Sequence, residues 1–214
     1  MPPQLLNFAL LSFVSLFTMV NPIGEIPVYT AMTSNLSPQE SRKVAFKAVI
    51  TAFLILLIFA LTGEFIFKFF GISVNSLRVV GGIIFLIMGY ELLQARLTRT
   101  QYDDETVHEY MSDISVTPLG IPVICGPGAI ASAIILMNQA ATLEQKGAVI
   151  GAIATIMGLT HLLLLGSKQV MKVIGDNGNK VMMRLMGLIV MVIAVEFFFS
   201  GLRPILREIL MLGG

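Results

Sequence analysis

Long apolar runs dominate the chain and predict helices that cross a membrane. Six apolar segments are separated by shorter polar stretches, and they cover residues 5–34, 44–67, 74–95, 114–140, 147–173 and 181–202. A helix needs roughly 20 apolar residues to span a bilayer. Four segments fit single spans, whereas the first and fourth are longer and are interrupted by proline and glycine. The pattern predicts an all-α integral membrane protein with six transmembrane helices, of which helices 1 and 4 are discontinuous.

Composition and charge agree with this class and exclude others. The 214 residues are 56% hydrophobic and 13% charged, and the mean hydropathy is +0.86, whereas soluble domains carry about 25% charged residues. The net charge of +1 gives no basic face for a nucleic acid. A single cysteine excludes an intrachain disulfide. The N-terminal segment lacks the basic region and cleavage pattern of a signal peptide, so we expect a retained first helix.

A polar stretch divides the chain into two halves that resemble each other. It covers residues 94–113 and is rich in Asp and Glu, so we divide the chain into a first repeat (1–100), an acidic linker (101–113) and a second repeat (114–214). Similar residues recur at an offset of 105 positions: Pro22 and Pro127, Gly82 and Gly187, Glu91 and Glu196. Chance similarity between apolar helices is the alternative. Three spans per half would place the halves in opposite orientations, as in transporters with inverted repeats.

The basic residues near the helix ends predict the orientation. Nine lie on the side of the first, third and fifth loops: Arg42, Lys43, Lys47, Arg96, Arg99, Lys168, Lys172, Lys180 and Arg184. Five lie on the opposite side: Lys68, Arg78, Lys146, Arg203 and Arg207. Because cytoplasmic loops are enriched in Lys and Arg, we expect a multi-pass protein of the plasma or inner membrane with both termini outside the cytoplasm.

Two helix-breaking motifs interrupt apolar segments one and four. The first break is VNPIGEIP (residues 20–27), and the second is CGPG (residues 125–128), preceded by Pro118 and Pro122. Proline has no N–H, so Pro22 and Pro27 would leave the carbonyls of Thr18 and Ile23 without helical partners. Lipid cannot replace those hydrogen bonds, so such backbone must be buried in protein or line a wet cavity. A simple proline kink, or a turn at the membrane surface, is the alternative.

A break inside a span creates helix ends that can bind opposite charges. We expect new helices to begin near Pro22 and Pro127, because proline is favourable in the first helical turn. Their free N–H groups suit a carboxylate, and the carbonyls that end the preceding helices suit an ammonium group. A zwitterionic amino acid matches both ends. The surroundings provide little for a large or charged side chain, which favours a small neutral substrate.

Few side chains offer chemistry. Glu25 is an acid within the first break and could contact a substrate ammonium group or carry a coupling proton; a water-exposed glutamate is the alternative. Asn21 offers donor and acceptor groups, or a helix cap. His161 is a proton relay or a packing residue, and Cys125 fits as a small filler. Because the chain lacks GxxxxGK[ST], HExxH and GxSxG motifs, we expect no enzyme, catalytic residue, metal or cofactor.

At NPIGEIPVY and TPLGIPVICGPGAIAS, and in the RxxG motif from Arg184 to Gly187, the chain resembles the MarC family, which includes small neutral amino acid transporters of the SnatA type. The resemblance covers nearly the whole chain. It implies two inverted three-helix repeats, discontinuous first and fourth helices, and transport of glycine and alanine driven by an ion gradient. The implied substrate-binding residues are Asn21, Pro22, Ile23, Gly24, Gly126, Pro127 and Gly128.

The sequence therefore favours a secondary transporter of small neutral amino acids that works by alternating access. The expected partners are the amino acid, the lipid bilayer and a coupling ion, for which we expect a proton; a homo-oligomer is left open. Two alternatives remain at this stage. One is a channel or an exporter for another small solute, and the other is a membrane scaffold that transports nothing.

Overall fold

A computed structural model describes residues 3–34, 36–94 and 111–210, and every regular element in these ranges is helical. The elements are α1 (Pro3–Val20), α2 (Glu25–Met32), α3 (Pro38–Phe70), α4 (Val74–Leu93), a π-helical segment (Ser115–Ile124), α5 (Pro127–Gln139) and α6 (Leu143–Ile209). Most of the predicted acidic linker, residues 101–110, lies outside the described residues. Within the described ranges, the regular structure is helical only, as predicted.

The described residues contain four continuous candidate spans and two broken ones. The continuous spans are α3, α4 and the two arms of α6, the first arm being Leu143–Ser167 and the second arm Lys180–Ile209. The broken spans pair Gln4–Val20 with Glu25–Met32 at an angle of 43°, and Met111–Ile124 with Pro127–Gln139 at 59°. Counting each bent pair as one span gives up to six. The predicted membrane fold is confirmed at this level, and both bends fall in the segments predicted to be discontinuous.

Local chemistry explains where the long helices begin and turn. The Ser37 hydroxyl accepts from the Glu40 N–H (3.3 Å), and the Ser37 N–H donates to the Glu40 carboxylate (2.7 Å), a reciprocal cap for the start of α3. α3 ends at Gly71, whose φ of 63° suits a residue without a Cβ atom. The arms of α6 are joined across Gly175, whose φ is 73°. Glycine adopts this conformation at little cost, which allows the chain to change direction there.

The π-helical segment follows from two closely spaced prolines. Thr117 and Ile121 have extended backbone angles inside it (φ −133°, ψ 123° and φ −134°, ψ 129°). Each precedes a proline, and the proline ring disfavours helical angles in the residue before it. The Cys125 N–H donates to the Gly120 carbonyl (2.9 Å), five residues back. The helix is thus interrupted at Pro118 and Pro122, the two prolines that precede the second break.

α4 packs antiparallel against the second arm of α6 through glycines. A Cβ atom at Gly82 would lie 2.7 Å from the Ala194 carbonyl oxygen and 2.8 Å from the Phe198 nitrogen. Further along the same interface, a Cβ atom at Gly201 would lie 2.5 Å from the Asn75 carbonyl oxygen. Residue numbers rise along α4 as they fall along α6. Only glycine allows backbones to approach this closely.

The same kind of contact recurs at the other end of this interface. A Cβ atom at Gly187 would lie 2.6 Å from the Gly89 carbonyl oxygen and 2.6 Å from the Leu93 nitrogen. Both neighbours are backbone atoms, so no side chain can turn aside to make room. The two helices therefore pack with their backbones in close contact, beside the broken helices.

Candidate functional site

The first break is a short turn between α1 and α2. The Asn21 N–H donates to the Phe17 carbonyl (2.9 Å), and the Gly24 N–H donates to the Asn21 carbonyl (2.9 Å). Asn21 has a positive φ of 51°, a conformation that Asn tolerates better than most residues. A Cβ atom at Gly24 would lie 2.3 Å from Asn21 Nδ2. The turn therefore needs an adaptable residue at position 21 and a glycine at position 24.

The turn shifts the start of the second half-helix. α2 begins at Glu25, three residues later than the predicted start near Pro22. Pro27 lies in the first turn of α2, where a missing N–H costs no helical hydrogen bond. Because Pro27 has no N–H, the Ile23 carbonyl lacks its usual helical partner, and it accepts instead from the Ile26 N–H (3.3 Å), three residues further on.

The second break ends at the predicted residue. Gly126 is the N-cap of α5 and Pro127 is its first residue, as the preference for proline in the first turn predicts. The Ile130 N–H donates to the Gly126 carbonyl (3.0 Å), which is the first helical bond. The residues from Ile124 to Ala129 are all buried, so this break lies inside the protein.

A cavity of about 60 Å³ lies beside the first break. Its polar lining comes from Thr18 and Asn21 near the end of α1 and from Glu25 at the start of α2, with Gly24 between them. The remaining wall is apolar and comes from α1, α2, α4, the π-helical segment and the second arm of α6. A cavity with one polar end and apolar walls can bind a small molecule that carries a charged group.

Only some of the residues predicted at the first break line the cavity. Asn21, Gly24 and Glu25 line the cavity. Pro22 is buried but is not among the lining residues. Ile23 is 56% exposed and does not line the cavity either.

The predicted residues of the second break lie behind the cavity wall. A Cβ atom at Gly126 would lie 2.5 Å from Phe85 Cζ, and one at Gly128 would lie 3.1 Å from Met19 Sδ. Phe85 and Met19 both line the cavity, whereas Gly126, Pro127 and Gly128 do not. A side chain at either glycine would therefore push Phe85 or Met19 toward the cavity.

Glu25 is buried and lacks a partner. Its side chain is 3% exposed, and neither carboxyl oxygen has a hydrogen-bond partner among the described residues. The alternative of a water-exposed glutamate is therefore wrong for the folded chain. No other cavity-lining residue is ionisable. By contrast, Glu64, Glu91 and Glu196 are exposed.

Other candidate side chains have structural contacts. The Thr18 hydroxyl donates to the Val14 carbonyl (2.8 Å) of its own helix. His161 packs edge-to-face on Phe46 with ring centroids 5.8 Å apart, and its buried Nδ1 has no partner within the described part of the chain. Cys125 is fully buried. The contact of His161 agrees with packing, and the burial of Cys125 agrees with a filler.

The apolar wall was missed by reasoning about the breaks alone. Three residues of the first half line the cavity together with the residue 105 positions later: Thr18 with Val123, Phe85 with Val190, and Met88 with Ile193. The offset that relates the two prolines therefore also relates walls of the cavity. The same offset, applied to further positions of the two halves, could have identified these lining residues from the sequence.

Comparison with known proteins identifies the family. The model of the MarC family integral membrane proteins matches residues 6–206. A UPF0056 membrane protein of Methanocaldococcus jannaschii is 37% identical over 92% of this chain and 97% of its own length. The UPF0056 membrane protein YvbG of Bacillus subtilis is 37% identical over 94% of this chain and 96% of its own length. No solved structure gives a significant match. The chain is thus a multi-pass integral membrane protein and belongs to the MarC family.

Proposed function

We propose that this MarC-family protein is a secondary transporter of small neutral amino acids, with glycine and alanine as substrates. The observation that carries the proposal is the cavity at the first break, which combines one buried carboxyl group with apolar walls. Helix breaks beside buried sites are a recurring device of secondary transporters. No catalytic chemistry is assigned to the site, and transport is proposed in place of an enzymatic function.

The size of the cavity supports a small substrate. One water needs about 10–15 Å³ of such volume, so about 60 Å³ holds roughly four to six water-sized groups. Glycine has five non-hydrogen atoms and alanine has six, whereas phenylalanine has twelve. The cavity therefore favours the smallest amino acids and disfavours the aromatic ones.

The polar groups suit the two charges of an amino acid. In the proposed complex, the ammonium group contacts Glu25, and the carboxylate lies toward the side-chain amide of Asn21, which can donate hydrogen bonds. The substrate side chain then faces the apolar wall that contains Phe85 and Val190. A methyl group or a hydrogen fits this wall without a polar partner.

In the proposed mechanism the two halves form an inverted repeat, and the paired close approaches of two glycines support this arrangement. A Cβ atom at Gly82 would lie 2.7 Å from the Ala194 carbonyl oxygen, and one at Gly187 would lie 2.6 Å from the Gly89 carbonyl oxygen. The residue numbers of the second pair differ from those of the first by 105 in each case, from 82 to 187 and from 194 to 89. The same shift relates the Cβ position of Gly82 and the Phe198 nitrogen (2.8 Å) to the Cβ position of Gly187 and the Leu93 nitrogen (2.6 Å). A pseudo-twofold axis between the halves requires this correspondence.

Three pairs of residues that line the cavity share the same offset, which supports the proposal that such an axis passes through the cavity. In the proposed mechanism the halves move relative to each other and open the cavity to either side in turn. An ion gradient, for which we propose protons, drives the cycle. We further propose a plasma or inner membrane location with both termini outside the cytoplasm.

Thermal stabilisation by each of the twenty amino acids tests the substrate assignment. A ligand at 100 times its Kd stabilises the folded state by about 2.7 kcal/mol, which corresponds to a rise in Tm of about 5–11 °C for a chain of this size. We expect the largest shifts with glycine and alanine and none with phenylalanine. The substrate assignment fails if neither glycine nor alanine shifts Tm. Accumulation of glycine in proteoliposomes that a protonophore abolishes would separate a transporter from a channel.

A further inference from the structure

We propose that Glu25 binds a proton and the ammonium group of the substrate in alternation, which makes the protein a proton/amino-acid exchanger. This inference rests on the proposed function and deepens it by assigning the coupling. It follows from the burial of Glu25, from the groups that surround it, and from the cost of an unpaired charge away from water.

Apart from Glu25 itself, the described residues that line the cavity carry no charge. The lining side chains of α1, α4, the π-helical segment and the second arm of α6 are neutral, and none is titratable. The next ionisable side chain on α2 is Tyr29, whose hydroxyl donates to the Ser41 carbonyl (2.7 Å). Among the described residues, Glu25 is the only buried acidic or basic side chain. Within the described part of the chain, an ionised Glu25 therefore has no cation to pair with.

A buried carboxylate without a cation is costly, whereas a protonated carboxyl group is much less so. A carrier that changes orientation without substrate must therefore keep a proton on Glu25. The ammonium group of an amino acid is a cation that can replace that proton. Proton symport would instead require the carrier to return with Glu25 ionised and unpaired, so the geometry favours exchange.

The exchange balances in protons and charge. As substrate binds, the O–H bond of Glu25 breaks and its proton passes to water on the side to which the cavity is open. The carboxylate then accepts hydrogen bonds from the ammonium group, and no electrons are transferred. On the other side, the substrate leaves and a proton from water returns to Glu25. Each cycle moves one amino acid in one direction and one proton in the other.

Proton release upon binding provides the test. Purified protein in weakly buffered detergent solution is mixed with glycine in the presence of a pH indicator, and bound glycine is measured separately by calorimetry. We expect one proton released per glycine bound. We also expect about tenfold tighter binding per pH unit over the range in which Glu25 is protonated. Glu25→Gln should release none, and Glu91→Gln, the same change at an exposed position of α4, should behave as the wild type.

The possible results separate the two proposals. Glycine binding without proton release, or with proton uptake, overturns the exchange and leaves the transport proposal standing. Absence of glycine binding by the wild type removes the substrate assignment and the exchange together. If Glu25→Gln fails to fold, the infrared band of a protonated carboxyl group in the wild type decides. We expect glycine to abolish that band, and its persistence with glycine bound contradicts the proposal.

Discussion

A single methyl group added at Gly82 or at Gly187 tests the contact between α4 and the second arm of α6. The new Cβ atom would lie 2.7 Å from the Ala194 carbonyl oxygen in Gly82→Ala and 2.6 Å from the Gly89 carbonyl oxygen in Gly187→Ala. Cβ atoms essentially never approach other atoms this closely. Because the obstacles are backbone atoms, the helices themselves must move apart.

The expected magnitude follows from the cost of overpacking. Inserting a methylene into a close-packed interior costs about 1–3 kcal/mol, which lowers Tm by about 2–12 °C for a chain of this size. If a pseudo-twofold axis relates the two contacts, the two variants should lose similar amounts. Thermal unfolding of the purified protein in detergent, followed by circular dichroism, measures both losses.

Gly151→Ala is the matched control. Gly151 lies on the exposed side of the first arm of α6, and no atom lies within 4 Å of its Cβ position. Alanine should therefore stabilise the helix there by about 0.5–1 kcal/mol. The argument for close packing is refuted if Gly82→Ala and Gly187→Ala raise Tm as Gly151→Ala does. A large loss in only one of them would contradict the symmetry of the two contacts.

Three further changes probe the breaks and their support. Tyr29→Phe removes the hydroxyl that donates to the buried Ser41 carbonyl, and we expect a loss of about 1–2 kcal/mol in denaturant unfolding; unchanged stability would show that this hydrogen bond contributes nothing. Asn21 has a φ of 51°, so Asn21→Val should lower the free energy of unfolding by about 1–2 kcal/mol, whereas Asn21→Gly should lower it less. Equal losses in Tm would contradict the left-handed turn. Gly126→Leu should push the Phe85 ring toward the cavity and reduce glycine uptake by proteoliposomes at least tenfold. Normal uptake would contradict the proposal that Phe85 lines the substrate site.

Much of the fold could be predicted because hydropathy and proline report directly on helices. Apolar runs located the spans, and Pro127 located the start of α5, since proline is favourable in a first helical turn. Pro22 did not locate the start of α2 in the same way. Asn21 adopts a left-handed conformation and holds Gly24 in a turn, which depends on local hydrogen bonds that the pattern of apolar residues does not contain.

The site was less predictable, because hydropathy does not tell which way a side chain points. From the sequence alone, Glu25 could face either water or the protein interior. Tertiary packing determines that it is buried. The influence of Gly126 on the cavity depends on its contact with Phe85, which lies 41 positions earlier in the chain. Conversely, the offset of 105 residues was visible in the sequence, and the structure shows that it also relates pairs of residues that line the cavity, such as Phe85 and Val190.

Glycine counterflow tests the central claim most directly. Proteoliposomes loaded with unlabelled glycine are diluted into radiolabelled glycine at equal pH on both sides, so that no ion gradient contributes. We expect transient accumulation of label that alanine inside the vesicles also supports and phenylalanine does not. Gly126→Leu should abolish the accumulation, whereas Gly151→Leu, at an exposed glycine, should retain it. Accumulation no greater than in protein-free liposomes would contradict transport of small neutral amino acids.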